Sequence, residues 1–253
     1  MKSNPIDDFA LEPERYELSS PPTYHFELER REFFRILGGG VAVFLLLRDE
    51  LAGQESGGGR SASHDPQPKE LAAWLHIGES GEVTVFTGKA EMGQNIRTSL
   101  TQAVAEELRV PVGSIRLLMG DTDLTPFEMG TFGSRTTPFM APLLRRAAAA
   151  ARSLLVELAA KQWNTEPAKL VAADGKVSDP RSGRSIEYKE LARGQALAKA
   201  IVAEPSLTPA AEWKVAGRAL AKINGADFVT GKHRYSTDIK RDGLLHGKVL
   251  RPP

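Results

Sequence analysis

The sequence predicts an α+β fold. Three observations carry it. A β-rich run at 73–87, W-L-H-I-G-E-S-G-E-V-T-V-F-T at its heart, holds a glycine turn that reads as a hairpin. Directly after it, Ile96, Leu100, Val104 and Leu108 recur at helical spacing. Pro111 then stops the helix, and S-I-R-L-L-M at 114–119 reads as the next strand. Val83 to Met119 is therefore a β-α-β unit, whose helix buries its stripe against a sheet.

The remaining elements follow in order. Residues 120–139, G-D-T-D-L-T-P-F-E-M-G-T-F-G-S-R-T-T-P-F, have no periodicity. A loop of that length inside a domain is either a binding loop or a solvated surface loop. Its glycines and hydroxyls offer backbone N–H groups to a polar ligand, and Arg135 can pair with a phosphate. Phe139 to Trp163 is a helix rich in alanine, with Arg145, Arg146 and Arg152 expected on its solvated face. Val171 to Asp179 is a hairpin turning at Asp174-Gly175. The run S-I-E-Y-K-E-L-A is a strand passing into a short helix, and 196–207 reads as a linker. A second unit begins near Trp213, with a strand expected at Leu244–Leu250 and nothing after it to pair with it. Either the chain is a fragment or another chain completes that strand.

The turn that joins the first strand pair to the helix, F-T-G-K-A-E-M-G-Q-N-I-R at 86–97, is the focus of the chain. A strand that passes through a glycine turn into a helix start exposes backbone N–H groups at the positive end of the helix dipole. That is a seat for an anionic or oxo-bearing ligand. Gln94 can donate and accept there, with Lys89 and Arg97 adding positive charge on either side.

Composition bounds the function. With 253 residues, 41% apolar and 26% charged, the chain has a globular make-up, and a net charge of +1 gives no electrostatic case for nucleic acid. Cysteine is absent. That excludes disulfides, a cysteine nucleophile, thiolate-bound zinc and an iron–sulfur cluster on this chain. There is no G-x-G-x-x-G, P-loop, H-E-x-x-H or G-x-S-x-G, and the five histidines lack metal spacing. Glu106 and Glu107, adjacent on a helix, point to different faces and do not make a catalytic pair.

Residues 1–70 read as an address and a tether. The polar, proline-containing tail at 1–29 has the composition of a disordered segment. Arg30-Arg31 precede an apolar run at 36–47 that contains three glycines; it is too short to span a bilayer and has the size of a signal h-region. Paired arginines before such a run resemble a twin-arginine export signal, which places the protein in the periplasm and in contact with the membrane only during export. The same run also fits a buried or anchoring helix, which leaves cytoplasmic or membrane-anchored locations open. Residues 54–69, rich in Gly, Ser and Pro, are a flexible linker.

G-K-A-E-M-G-Q-N-I-R resembles the glycine–glutamine motif of the molybdopterin-binding large subunits of the xanthine oxidase family. The likeness continues through V-A-E-E-L-R-V-P, M-G-D-T-D-L-T-P and G-T-F-G-S-R-T-T. It reaches N-G-A-D-F-V-T-G-K-H-R-Y-S-T-D-I and L-L-H-G-K-V-L-R-P-P, which resemble the opening of that family's a/b hammerhead domain. The order of these blocks, behind an export-type leader, resembles the isoquinoline 1-oxidoreductase branch.

The resemblance implies three parts: the leader and linker at 1–70, part of a molybdenum cofactor-binding domain at 71–207, and the start of a hammerhead-like domain at 208–253. It implies molybdopterin cytosine dinucleotide as cofactor, contacted by Gly93, Gln94 and Asn95 and by Gly130, Thr131, Phe132, Gly133, Ser134 and Arg135. Gln94 matches a glutamine that hydrogen-bonds a ligand of molybdenum without binding the metal itself. Asn95 stands where the family motif has a second glycine. The family hydroxylates an N-heterocycle or aldehyde with oxygen from water. It passes electrons to a [2Fe–2S] small subunit, and its general-base glutamate lies downstream of the sequence here. The expectation is one wall of a molybdenum site, completed by a polypeptide supplying the C-terminal half and acting on a small-molecule substrate. The alternative is a truncated homologue that binds partners without catalysis.

Overall fold

The computed structural model describes residues 38–46, 71–126, 128, 130–200 and 205–251. The N-terminal tail, the arginine pair and the 54–69 linker lie outside them. The described residues form two sheets. The larger is built from β1 (Gly40–Leu46), β2 (Leu71–Gly78), β3 (Val83–Thr87), β4 (Ile115–Met119) and β8 (Ala196–Ala200), in the order β4-β3-β2-β1-β8. The smaller is built from β5 (Val171–Ala173), β6 (Lys176–Ser178) and β7 (Ser185–Glu187), in the order β5-β6-β7.

The β-α-β unit forms as the spacing predicts. β2 and β3 pair antiparallel, and the turn between them closes through the Gly81 N–H to Gly78 O bond at 2.9 Å. Helix α1 (Ile96–Leu108) then crosses over and β4 returns parallel to β3, with Val83 opposite Ile115. The parallel return requires a crossover, and α1 supplies it. Helix α2 (Thr136–Trp163) packs on α1 and across β1 and β2. Val41, Val43, Leu75, Ile77, Val83, Val85 and Leu117 face Leu100, Val104, Leu108, Leu144, Ala148 and Leu155 in one core. Ala147, Ala148, Ala149 and Ala151 are fully buried. Their small side chains let the helix axis approach its neighbours closely. The expected strand-to-helix passage also forms, β7 leading directly into the short helix α3 (Tyr188–Ala192).

Four expectations change. Part of the apolar run read as an export segment, Gly40–Leu46, is the strand β1, antiparallel to β2 and parallel to β8. Val41, Val43 and Phe44 suit a strand, and Gly40 to Val43 are buried, as a strand with neighbours on both edges demands. Ala196–Ala200, read as linker, is the edge strand β8. Leu244–Leu250, read as a strand, pairs with no strand among the described residues, and Leu245, Val249 and Leu250 are 91%, 86% and 92% exposed. Arg145 and Arg152, placed on a solvated face, instead turn inward to Glu107, with bonds at 2.7 and 3.3 Å.

After β8 the described chain resumes at 205 as an irregular strap that follows α1 from its C-terminal end back to its start. Glu107, wholly buried, accepts from Arg145, Arg152 and the Thr208 N–H and hydroxyl. Its neighbour Glu106 accepts the N–H groups of Lys214, Val215 and Ala216 at 2.9, 2.6 and 3.0 Å. One turn earlier, Gln102 donates to Val215 O and Arg218 O. At the helix start, Thr98 Oγ1 accepts the Ile223 N–H at 3.0 Å. A short helix α4 (Gly225–Val229) follows, with Phe228 stacked on His233 and Tyr235 edge-on to both. The two glutamates serve separate anchors, in keeping with their opposite directions on the helix.

Candidate functional site

Two glycine-bearing loops meet at one end of the sheet. The first, 88–95, runs from β3 to α1; the second, 120–135, runs from β4 to α2. Three bonds tie them together. Lys89 Nζ reaches Glu128 Oε1 at 2.7 Å and Gly130 O at 3.0 Å, and the Ala90 N–H donates to Thr131 Oγ1 at 2.8 Å. The contact is close enough to need a glycine: a Cβ on Gly88 would lie 2.5 Å from both Pro126 O and Glu128 Cβ. The starts of α1 and α2 are also joined, Ser99 Oγ to Thr137 Oγ1 at 3.0 Å.

The expected site residues all gather here. Gly93 has φ +102°, a conformation that L side chains avoid, and a Cβ there would meet open space. The backbone is accessible at Gly93, where it is blocked at Gly88. Asn95 has φ 67°, so asparagine fills the left-handed position in place of glycine. Its Oδ1 accepts from the Thr98 hydroxyl at 2.7 Å. In the second loop Gly130, Gly133 and Ser134 all have positive φ, and Phe132 is 61% exposed. Arg135 immediately precedes α2, and its guanidinium lies 4.3 Å from the centre of the Phe139 ring.

The electrostatics differ from the sequence expectation. Lys89 is buried and paired with Glu128, and the Arg97 guanidinium donates to Leu117 O. Neither is a free cation beside the turn. The helix start is also already supplied with a negative charge. Glu91 Oε1 accepts the N–H groups of Gly93 and Asn95 at 2.8 and 3.0 Å, and Oε2 accepts that of Arg97 at 2.9 Å. Burial works against ionising Glu91, but these three N–H groups and nearby Lys222 outweigh it and hold the carboxyl below its ordinary value. Gln94 folds back on the turn, its Nε2 donating to Ala90 O at 2.9 Å and its Oε1 accepting the Met92 N–H at 2.5 Å. Sequence reasoning missed Glu91 as a capping group. The signal was present: an acid shortly before a helix start is placed to take that helix's unpaired N–H groups.

The model of the molybdopterin cofactor-binding domain matches residues 51–236. The chain belongs to that family. Both loops and most of the strap fall inside the matched span. A nicotinate dehydrogenase component of Pseudomonas putida is 31% identical over 209 residues, which is 83% of this chain and 18% of that protein. The beta chain of isoquinoline 1-oxidoreductase of Brevundimonas diminuta is 29% identical over 219 residues, 71% of this chain and 28% of that protein. Among solved structures, quinoline 2-oxidoreductase from Pseudomonas putida 86 is 28% identical across 47% of this chain and 15% of that one, with a TM-score of 0.42. The chain thus spans less than a third of the length of each of these relatives. The matched domain and the two curated relatives support the xanthine oxidase family resemblance and the molybdenum cofactor as the family's ligand.

The residues present fit one side of such a group. Open space above Gly93 gives backbone access there, and Gly130, Gly133 and Ser134 hold positive φ in the facing loop. The exposed Gln94 carboxamide can exchange its local bonds for others. Among the described residues no cluster of histidines and carboxylates can hold a metal directly.

Proposed function

We propose that this chain forms one wall of the molybdenum site in a hydroxylase large subunit, using molybdopterin cytosine dinucleotide. The observation that carries the reading is the tethering of the two glycine loops within the matched domain, at Lys89–Glu128 and Ala90–Thr131. Gly93 and Gln94 would hold the group from one loop, and Thr131 to Arg135 from the other. Bound there, a molybdenum–pterin centre supplies two-electron oxidation of an electron-poor carbon, with oxygen drawn from water. This chain's residues orient the group: open backbone at Gly93 lets it approach, and Gln94 offers one donor and one acceptor.

The whole enzyme needs more than this wall. The general base and the far side of the cofactor belong to the C-terminal molybdenum-binding half, supplied either by a continuation of this chain or by a separate polypeptide. Electrons leave through a [2Fe–2S] subunit, since no cysteine here can ligate iron. The substrate class is an N-heterocycle or an aldehyde, and the Arg30-Arg31 pair supports a periplasmic location by the twin-arginine route, with Gly40–Leu46 kept in the fold as β1. The test is co-expression with those partners, followed by metal analysis and release of the bound nucleotide. Molybdenum together with a cytosine nucleotide supports the reading. A well-folded complex without molybdenum sinks it. Changing Arg30 and Arg31 to lysine should hold the protein in the cytoplasm, and unchanged fractionation would refute the export route.

A further inference from the structure

We propose that Glu91 is the positioning residue of this turn, and that Gln94 is therefore free to swing outward without the backbone following. The inference rests on the reading of residues 93–95 as a cofactor contact, and it deepens that reading.

The turn carries two independent hydrogen-bond sets. In the first, the Glu91 carboxylate spans the turn and takes the N–H groups of Gly93, Asn95 and Arg97. It occupies the place at the head of α1 where an outside anion would sit, so that end of the helix is capped from within. Lys222 Nζ stands 4.0 Å from Glu91 Oε1 and reinforces it from the strap. Asn95 is held from its other side, through Thr98 Oγ1 to the Ile223 N–H. The left-handed backbone at Gly93 and Asn95 is thus fixed by groups other than Gln94.

In the second set, Gln94 spends its carboxamide on Ala90 O and the Met92 N–H. Both bonds are exposed, so water replaces them at little cost. A ligand that draws the carboxamide outward breaks only these two. Glu91 keeps the three amides paired throughout. A residue that moves toward a ligand needs a base that does not move, and these two sets divide those roles between Gln94 and Glu91.

The division is measurable on the cofactor-free full-length chain by amide hydrogen exchange, resolved by NMR. Gln94→Ala should leave protection at Gly93, Asn95 and Arg97 within about twofold of the parent. Glu91→Ala should cut protection at all three by about tenfold or more, the factor expected for losing a charge-assisted bond. Glu91→Gln separates position from mere filling of space. Its amide oxygen can still serve Gly93 and Asn95 while its NH2 faces the Arg97 N–H, so only Arg97 should lose protection. Global melting temperature is recorded for each variant, and a fall confined to the three amides identifies local positioning. Equal loss of protection in Gln94→Ala and Glu91→Ala overturns the proposal, as does unchanged exchange in Glu91→Ala. Because no molybdenum is involved, these outcomes are separate from the metal analysis that tests the cofactor reading itself.

Discussion

Replacing Glu107 by alanine should loosen the strap from α1 and lower the melting temperature strongly. The carboxylate is wholly buried and accepts from Arg145, Arg152 and both donors of Thr208. Removing one partner of a buried ion pair costs roughly 3–5 kcal/mol, because the remaining charge is left uncompensated. The lower end applies here. The Arg145 and Arg152 side chains keep 18% and 17% exposure, so each can recover some water. Arg145 also retains Thr208 O and its stack over Trp213, and Arg152 retains Ser206 O. About 3 kcal/mol, at roughly 2–4 °C per kcal/mol for a domain of this size, gives a fall of about 6–12 °C. Glu107→Gln keeps the volume and the Thr208 bonds but loses the charge, and should fall by about half as much. Calorimetry measures the shift, and limited trypsin digestion reports its location: cleavage after Lys214 and Arg218 should accelerate in Glu107→Ala. A shift under about 2 °C with unchanged cleavage would refute the claim that this carboxylate anchors the strap.

Three further outcomes follow from the same geometry. Gly88→Ala drives a Cβ into Pro126 O and Glu128 Cβ, so it should destabilise by about 1–3 kcal/mol in urea titration; an unchanged midpoint would mean the loops are not in contact. Burial opposes ionising Glu91 and Glu106, but both are held below 4.5 by backbone N–H groups and a nearby cation. The folded chain therefore binds protons less readily than the unfolded one, and the stabilisation is present above 4.5 and lost as pH falls through the lowered values. Unfolding free energy measured from about pH 6 to about pH 3 should drop, and Glu106→Gln should flatten the slope; equal slopes would count against the anchor. Tyr188 is 3% exposed and donates to Leu108 O at 2.9 Å, and burial pushes its phenol well above the ordinary value of 10. Its contribution is present below 10 and is lost as pH rises beyond it, so phenolate absorbance should show a late fraction that Tyr188→Phe abolishes.

How much of this was legible depended on whether the deciding contact is local. The β-α-β unit could be read because Ile96, Leu100, Val104 and Leu108 repeat at four and the strand before them, V-T-V-F-T, is β-branched and aromatic. β1 could not, because a short apolar run looks alike as a strand, a buried helix or an export segment until its neighbours are known. β8 is mostly alanine, a weak strand former, and it is a strand because β1 offers it an edge. That the two glycine loops meet was foreshadowed by glycine spacing and the family motif. Their charges were not: Lys89 meets Glu128 across a separation of 39 residues, which no local pattern encodes.

The strap and the turn belong to one mechanical unit, and that bears on how the site is assembled. Strap residues bond to Glu107, Glu106, Gln102 and Thr98 in succession along α1, and Lys222 faces Glu91 at its head. Chain that follows the strap is therefore connected to the Gly93–Asn95 backbone through hydrogen bonds that each have one covalently fixed partner on α1. A pull on 224–251 reaches Asn95 by way of Ile223 and Thr98, a path of two hydrogen bonds. The exposed apolar residues Leu245, Val249 and Leu250 lie on that same segment. If a partner polypeptide covers them, the turn carrying Gln94 is linked to that docking through Ile223, Thr98 and Asn95. Thr98→Val, which keeps the shape and removes both bonds, should uncouple the two. Amide shifts at Asn95 on partner addition should then shrink to what the Lys222–Glu91 contact carries, while binding persists.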